Sequence, residues 1–185
     1  MRIALAITDE EIQRCYPALS QLRPHISEGQ FLERIRQQMQ GGYELAYLIG
    51  VPTPSADSTP LVDTTPVADS TRAAAGNGLA QSVSEPQEPP SRASETERVL
   101  TVAGFRMGLN LAWGKYLYVD DLVTAEVARS SGWGRQMLSW LMDLARSRSC
   151  DQFHLDSGLQ RREAHRFYER EGMEISSYHF FKQLH

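Results

Sequence analysis

The sequence predicts an α/β protein, a mixed and mostly antiparallel sheet flanked by helices. Three observations point there. Short runs rich in aromatic and β-branched residues alternate with stretches of helical periodicity. Glycine turns follow the helical stretches, and two of the strand-like runs are consecutive. A long segment between those two runs carries no signal for either element.

Taken in order, Arg2–Ile7 reads as a short strand. Asp9 can cap a helix running from Glu10 to about Leu19, with acidic residues at its positive end. A second helix is expected over Ser27–Met39. Ser27 and Gln30 have the spacing of a capping box, Phe31, Leu32, Ile35 and Met39 share one face, and Gly41-Gly42 ends it. Tyr43–Gly50 and Val99–Arg106 read as strands, adjacent enough to be hairpin partners. Lys115–Thr124 is the next strand. A helix follows from Ser131 or Gly132 to about Arg148, with Trp133, Met137, Leu138, Leu141, Leu144 and Ala145 at helical spacing. Gln152–Asp156 reads as a short strand, Arg161–Glu171 as a helix stopped by Gly172, and Met173–Gln183 as a final strand pair or bent strand.

Residues 51–98 differ in kind. They hold seven of the nine prolines, many Ser and Thr, and no Phe, Tyr or Trp. Such a composition cannot bury enough apolar surface to offset an ordering cost of about 1–2 kcal/mol per residue. The segment is expected to be a disordered insertion replacing a hairpin turn, which is tolerable because closure entropy grows only logarithmically with length. The remaining 137 residues suit one domain, so residues 1–185 are expected to form a single interrupted domain. The insertion also carries seven acidic residues against three arginines, the whole of the net charge of −4. The foldable part is neutral, and charge points to neither nucleic acid nor a membrane surface.

No run of about 18 apolar residues is present and the N-terminus lacks the pattern of a secretion signal, so the expected location is the cytoplasm. Cys15 and Cys150 stand far apart and read as ordinary thiols. His154, His165 and His179 lack ligand spacing, so no metal site is expected.

The chemistry-bearing stretch is Arg129-Ser130-Ser131-Gly132-Trp133-Gly134-Arg135, between a strand and a long helix. A tight glycine turn at a helix N-terminus is an anion site: the glycines admit a ligand close to the backbone, and unpaired N–H groups point at it. The spacing is neither that of a P-loop nor Gly-x-Gly-x-x-Gly. Taken alone, it is equally well a turn that needs glycine only for its geometry.

A second stretch changes the balance. The Arg-x-x-Gly-x-Gly pattern (Arg129, Gly132, Gly134) follows a strand ending Leu122-Val123-Thr124, and Ala164-His-Arg-Phe-Tyr168-Glu-Arg-Glu-Gly172-Met173 comes later. Together they resemble the GNAT superfamily of acetyl-coenzyme A-dependent N-acetyltransferases, over all the chain except the insertion. Met173 stands where the family has Phe, and Arg161 where many relatives have Asn. The resemblance implies a sheet splayed at the coenzyme site and backbone amides of Ser130–Arg135 on the coenzyme A pyrophosphate. It also implies Leu122 and Val123 pairing with the pantetheine arm, Tyr168 protonating the departing thiolate, and a homodimer. The co-substrate would be acetyl-CoA, and the acceptor a small-molecule or peptide amine. A phenol with ordinary pKa near 10 is protonated at neutral pH and can donate. Without the resemblance, Tyr168 beside Phe167 would read as a core aromatic.

Asp120 and Asp121 are candidates for the base that takes the amine's proton. As neighbours in a strand they are expected on opposite faces. Their bland reading has Asp121 bonded to structural amides and Asp120 solvated. A non-catalytic acyl-CoA-binding regulator on the same scaffold is the alternative function, and a partner-recruiting insertion is a third.

Overall fold

The computed structural model describes residues 2–51 and 97–184. The expected disorder of residues 51–98 therefore falls almost wholly outside the described residues. Five strands form one sheet in the order β1-β2-β3-β4-β5: β1 (Arg2–Leu5), β2 (Tyr43–Gly50), β3 (Arg98–Asn110), β4 (Gly114–Thr124) and β5 (Gln152–Leu155). The first four pair antiparallel with their neighbours, and β5 joins β4 in parallel. β2 and β3 are paired with each other up to Gly50 and Arg98.

Helices cover both faces. On one side lie α1 (Asp9–Arg14), α2 (Tyr16–Leu19) and α3 (Glu28–Gln40). Ile12, Leu19, Phe31 and Ile35 pack there against Leu45, Tyr47, Val102 and Val123. On the other side α4 (Trp133–Ser147) buries Met137, Leu141 and Ala145 against Leu48, Leu100, Phe105, Leu117 and Val119. The final helix, α5 (Arg162–Arg170), is followed by Gly172 at φ 82°. That is the left-handed conformation glycine supplies when a helix stops. Among the described residues no helix is long and apolar enough to cross a membrane.

Four expectations need correction. The first helix is capped by Thr8 rather than Asp9. Thr8 Oγ1 accepts from the Glu11 amide while the Glu11 carboxylate accepts from the Thr8 amide. That helix also ends at Arg14 and restarts at Tyr16, because Pro17 lacks the N–H that a continuous helix requires and is tolerated only in a first turn. Ser27 precedes α3 but caps no amide; its hydroxyl donates to Gln30 Oε1.

The last correction is the largest. Met173–Gln183 forms no strand, and Ile175, Tyr178, Phe180 and Phe181 are exposed. Strand propensity reflects fit to a paired, half-buried surface. Here the nearest free edge is β5, only four residues long, and no backbone ladder forms on it.

The feature that shapes the site is a β-bulge in β4. Gly104 pairs with Asp121, but Phe105 pairs with Val119, leaving Asp120 extra. An extra residue inverts the facing of everything beyond it. Val119 accordingly belongs to the α4-side core and Val123 to the opposite core, although their even spacing would put them on one face of a regular strand. β5 pairs with β4 only from Tyr116 to Val119. From Asp120 onward β4 has, among the described residues, no strand on its β5 side, so the sheet splits there.

Candidate active site

Two cavities meet the split β4 segment from opposite sides. The larger, of about 890 Å³, lies on the α4 side. Its walls bring together Leu122 and Val123, the loop residues Arg129, Ser130, Gly132, Trp133, Gly134 and Arg135, and Arg161, Phe167 and Tyr168 of the α5 region. Ser131 is not part of these walls; its hydroxyl turns back onto the Arg129 carbonyl.

Local chemistry explains the loop. A 3-10 turn over Glu126–Ala128 ends β4's exit, and Gly132 then sits at the N-cap of α4 with φ 81°. Ser130 is also left-handed, at φ 61°. No side chain caps α4, so its first amides open into the cavity with the positive end of the helix dipole behind them. A Cβ on Gly134 would stand 3.1 Å from Thr124 Oγ1, so glycine lets α4 pack close to β4. Arg135 pairs with Glu171 at 3.1 Å, tying this end of α4 to the end of α5. The Trp133 indole N–H is buried with no protein partner among the described residues. This arrangement of amide donors, helix end and arginines suits a pyrophosphate.

Tyr168 stands in the same cavity, half-buried, its ring 5.3 Å from that of Phe167. Burial raises the phenol above its ordinary value, and the Arg161 charge partly opposes this. The hydroxyl therefore stays protonated through the neutral range.

The second cavity, about 630 Å³, lies on the α1–α3 side between the α2–α3 connection and the bulge. It contains both Asp120 and Asp121, together with Arg23, Arg34, Tyr43 and Arg106. The two carboxylates were expected on opposite faces. They share one, because the bulge supplies the extra residue that turns the second about. Nor is either acid placed as its bland reading had it. Asp121 accepts from Arg23 Nε at 2.7 Å and from the Tyr43 hydroxyl at 3.0 Å, and Asp120 accepts from Arg106 Nε at 2.8 Å.

Arg106 also lies over the Tyr43 ring, its guanidinium carbon 5.8 Å from the centroid. Gly104 makes this network possible: a Cβ there would fall 1.7 Å from the Tyr43 oxygen. Burial, then the charge of Asp121, pushes the Tyr43 phenol well up, so it remains a donor. The sequence offered one signal here, paired acids inside a strand. Arg23, Tyr43 and Arg106 arrive from separate elements and carried none. Among the described residues no group of three or more His, Cys, Asp or Glu is placed to hold a metal ion.

The model of the acetyltransferase (GNAT) family matches residues 67–173, more than half of the chain. The chain belongs to this family. An uncharacterised N-acetyltransferase of Bacillus subtilis, YhdJ, is 37% identical over 91 residues, 49% of this chain and 64% of that protein. The match thus spans under two thirds of this relative's length. The aminoalkylphosphonate N-acetyltransferase of Salmonella typhimurium is 28% identical over 109 residues, 58% of this chain and 71% of that protein. A GNAT acetyltransferase of Staphylococcus aureus superposes with a TM-score of 0.63 at 14% identity, covering 99% of this chain and 98% of its own. The structural likeness confirms the GNAT fold: a mixed, mostly antiparallel sheet with helices on both faces.

Proposed function

We propose that the protein is an N-acetyltransferase that moves the acetyl group of acetyl-CoA to a primary amine by direct attack. One observation carries this reading. The amide-rich end of α4, the unpaired stretch of β4 and the Tyr168 hydroxyl open into one cavity large enough for the coenzyme's pantetheine end.

On this reading the amides of Ser130–Arg135 hold the pyrophosphate, and Leu122 and Val123 offer backbone groups to the pantetheine amides. The thioester then lies at the split in the sheet. The amine enters from the cavity holding Asp120 and Asp121, and its nitrogen attacks the thioester carbonyl. As the C–S bond breaks, Tyr168 gives its proton to sulfur; holding two reactants in line supplies much of the rate. Asp120 and Asp121, fastened by guanidinium groups, shape the acceptor side and help attract a cationic amine.

Titration calorimetry with acetyl-CoA tests the donor half. Micromolar binding, followed by amine-dependent thiol release, is the expected result; no heat of binding overturns the reading. A narrower reading has an acceptor bearing both an amine and an anion, such as 2-aminoethylphosphonate. It is favoured by Arg34, which lines the acceptor cavity and forms no ion pair among the described residues, and by the activity named for the Salmonella relative. A higher kcat/KM for 2-aminoethylphosphonate than for an uncharged amine of equal length is the expected result. A homodimer belongs to the same reading and is tested by sedimentation equilibrium.

A further inference from the structure

Three carboxylates stand near the split in the sheet, and they differ in what holds them. Asp120 and Asp121 are each bonded to an arginine. A guanidinium has no site to receive a proton, so neither pair offers an onward path for one. Asp156 is the third. It follows Leu155, the last β5 residue paired to β4, and so stands at the fork. Its partners are of another kind: Oδ2 accepts from the Tyr118 hydroxyl at 2.5 Å and lies 3.0 Å from His179 Nδ1.

Tyr118 faces the side of β4 that carries Asp120, and through it Asp156 is held beside the acceptor cavity rather than in its walls. Tyr118 pairs with Arg106 across β3 and β4, and Arg106 reaches Asp120 on the same face. The charge of Asp120 bears on the Tyr118 phenol, which burial and the Asp156 hydrogen bond push far up. Tyr118 is therefore a fixed donor that orients Asp156 and does not titrate near neutrality. The Asp156 side chain is half exposed, which leaves it open to an incoming ligand. The titratable groups facing Asp156 are Tyr118 from β4, His154 from β5 and His179 from the C-terminal segment. His154 is stacked on Trp113 at 3.9 Å, and burial lowers its basicity.

We propose that Asp156, oriented by Tyr118 and relayed by His179, is the general base that removes the amine's proton. The inference rests on the acetyltransferase reading above. One N–H bond of the ammonium breaks and its proton passes to Asp156 Oδ2. From there it passes through His179, whose Nδ1 lies 3.0 Å away, to water. The freed lone pair forms the C–N bond. As the C–S bond breaks, sulfur gains its proton from Tyr168, and the second proton leaving nitrogen passes through water to the Tyr168 phenolate and restores the phenol. One proton thus reaches solvent and one reaches sulfur for each acetyl group moved.

The test has two arms on the full chain. In the first, 2-aminoethylphosphonate and benzylamine are acceptors, and thiol release is followed from neutral to alkaline pH. Asp156→Asn should lower kcat by about 10²–10³-fold at neutral pH. Acetyl-CoA affinity by calorimetry should not change, and the rate should recover as alkaline pH frees the amine in solution. A lost side-chain contact would not produce that pH-dependent rescue. His179→Gln should lose less, about tenfold, and Tyr118→Phe less still. Wild-type turnover in Asp156→Asn overturns the assignment.

The second arm needs no acceptor. The ring protons of His179 are titrated by NMR in wild type and in Asp156→Asn, each with coenzyme A bound. Coupling predicts a clear change in the His179 titration, and identical curves overturn the relay. Failure of acetyl-CoA to bind the wild type would instead sink the acetyltransferase reading, so the two failures are told apart.

Discussion

The two cavities on either side of the split strand are built by opposite strategies. The α4-side cavity takes its donors mainly from backbone: amides at a helix end, unpaired groups of one strand, and glycines that let both come close. The α1–α3-side cavity is made of side chains drawn from the α2–α3 connection, β2, β3 and β4, bonded to one another. A backbone site of this kind is encoded over a dozen consecutive residues. A side-chain network exists only after distant elements have met. The first tolerates many side-chain changes but few at its glycines, whereas the second depends on each of its paired side chains and on Gly104, which leaves room for Tyr43.

Gly134→Glu should break the backbone site outright. A Cβ there already stands 3.1 Å from Thr124 Oγ1, and the added carboxylate would face an anion. A loss of acetyl-CoA affinity beyond about 10²-fold, with the fold kept by circular dichroism, is the expected result, since one buried like-charge contact costs several kcal/mol.

Tyr168→Phe separates binding from chemistry within the same cavity. Turnover should fall about 10²-fold with acetyl-CoA affinity unchanged; equal turnover would return Tyr168 to a packing role. Because burial raises this phenol, the alkaline limb it imposes on turnover should lie above pH ~10, and it should vanish in the variant.

The side-chain network is probed by Gly104→Ala. The new methyl would overlap the Tyr43 ring, so stability should drop by about 1–3 kcal/mol. Adding Tyr43→Leu should return part of it, since the clash is with that ring. A neutral Gly104→Ala in thermal unfolding would show that the Tyr43–Asp121 bond is dispensable.

A control outside both cavities is the cap of α1. Amides of Thr8 and Ile7 hold the Glu11 carboxylate below its ordinary value. A depressed pKa contributes stability above the unfolded value and loses it as pH falls through the folded one. Glu11→Gln should therefore lower the melting temperature slightly at neutral pH, with the difference closing below pH ~4.

The smallest effect belongs to the insertion. Since β2 and β3 pair to Gly50 and Arg98, replacing residues 52–96 by a short turn should leave melting temperature and coenzyme binding nearly unchanged. Loss of folding would show that the segment supports the core.

The sequence by itself determined the order of sheet and helices through Gly172, the glycine turn that opens α4 and the place of Tyr168 on α5. Each of these depends on periodicity or on glycine within a few residues, and local chemistry is written locally. It misread the helix over residues 10–19, where one proline decides the break, and the C-terminal strand, where propensity found no ladder to join.

Only the tertiary structure decided the facing of Asp120 and Asp121, which hangs on one extra residue in β4. It also decided which acids arginines hold and which one meets Tyr118 and His179. Those partners lie 14 to 98 residues apart for the arginine-bound acids and 38 apart for Tyr118 and Asp156. No local pattern encodes such pairings. They follow from how the strands register and where the sheet divides.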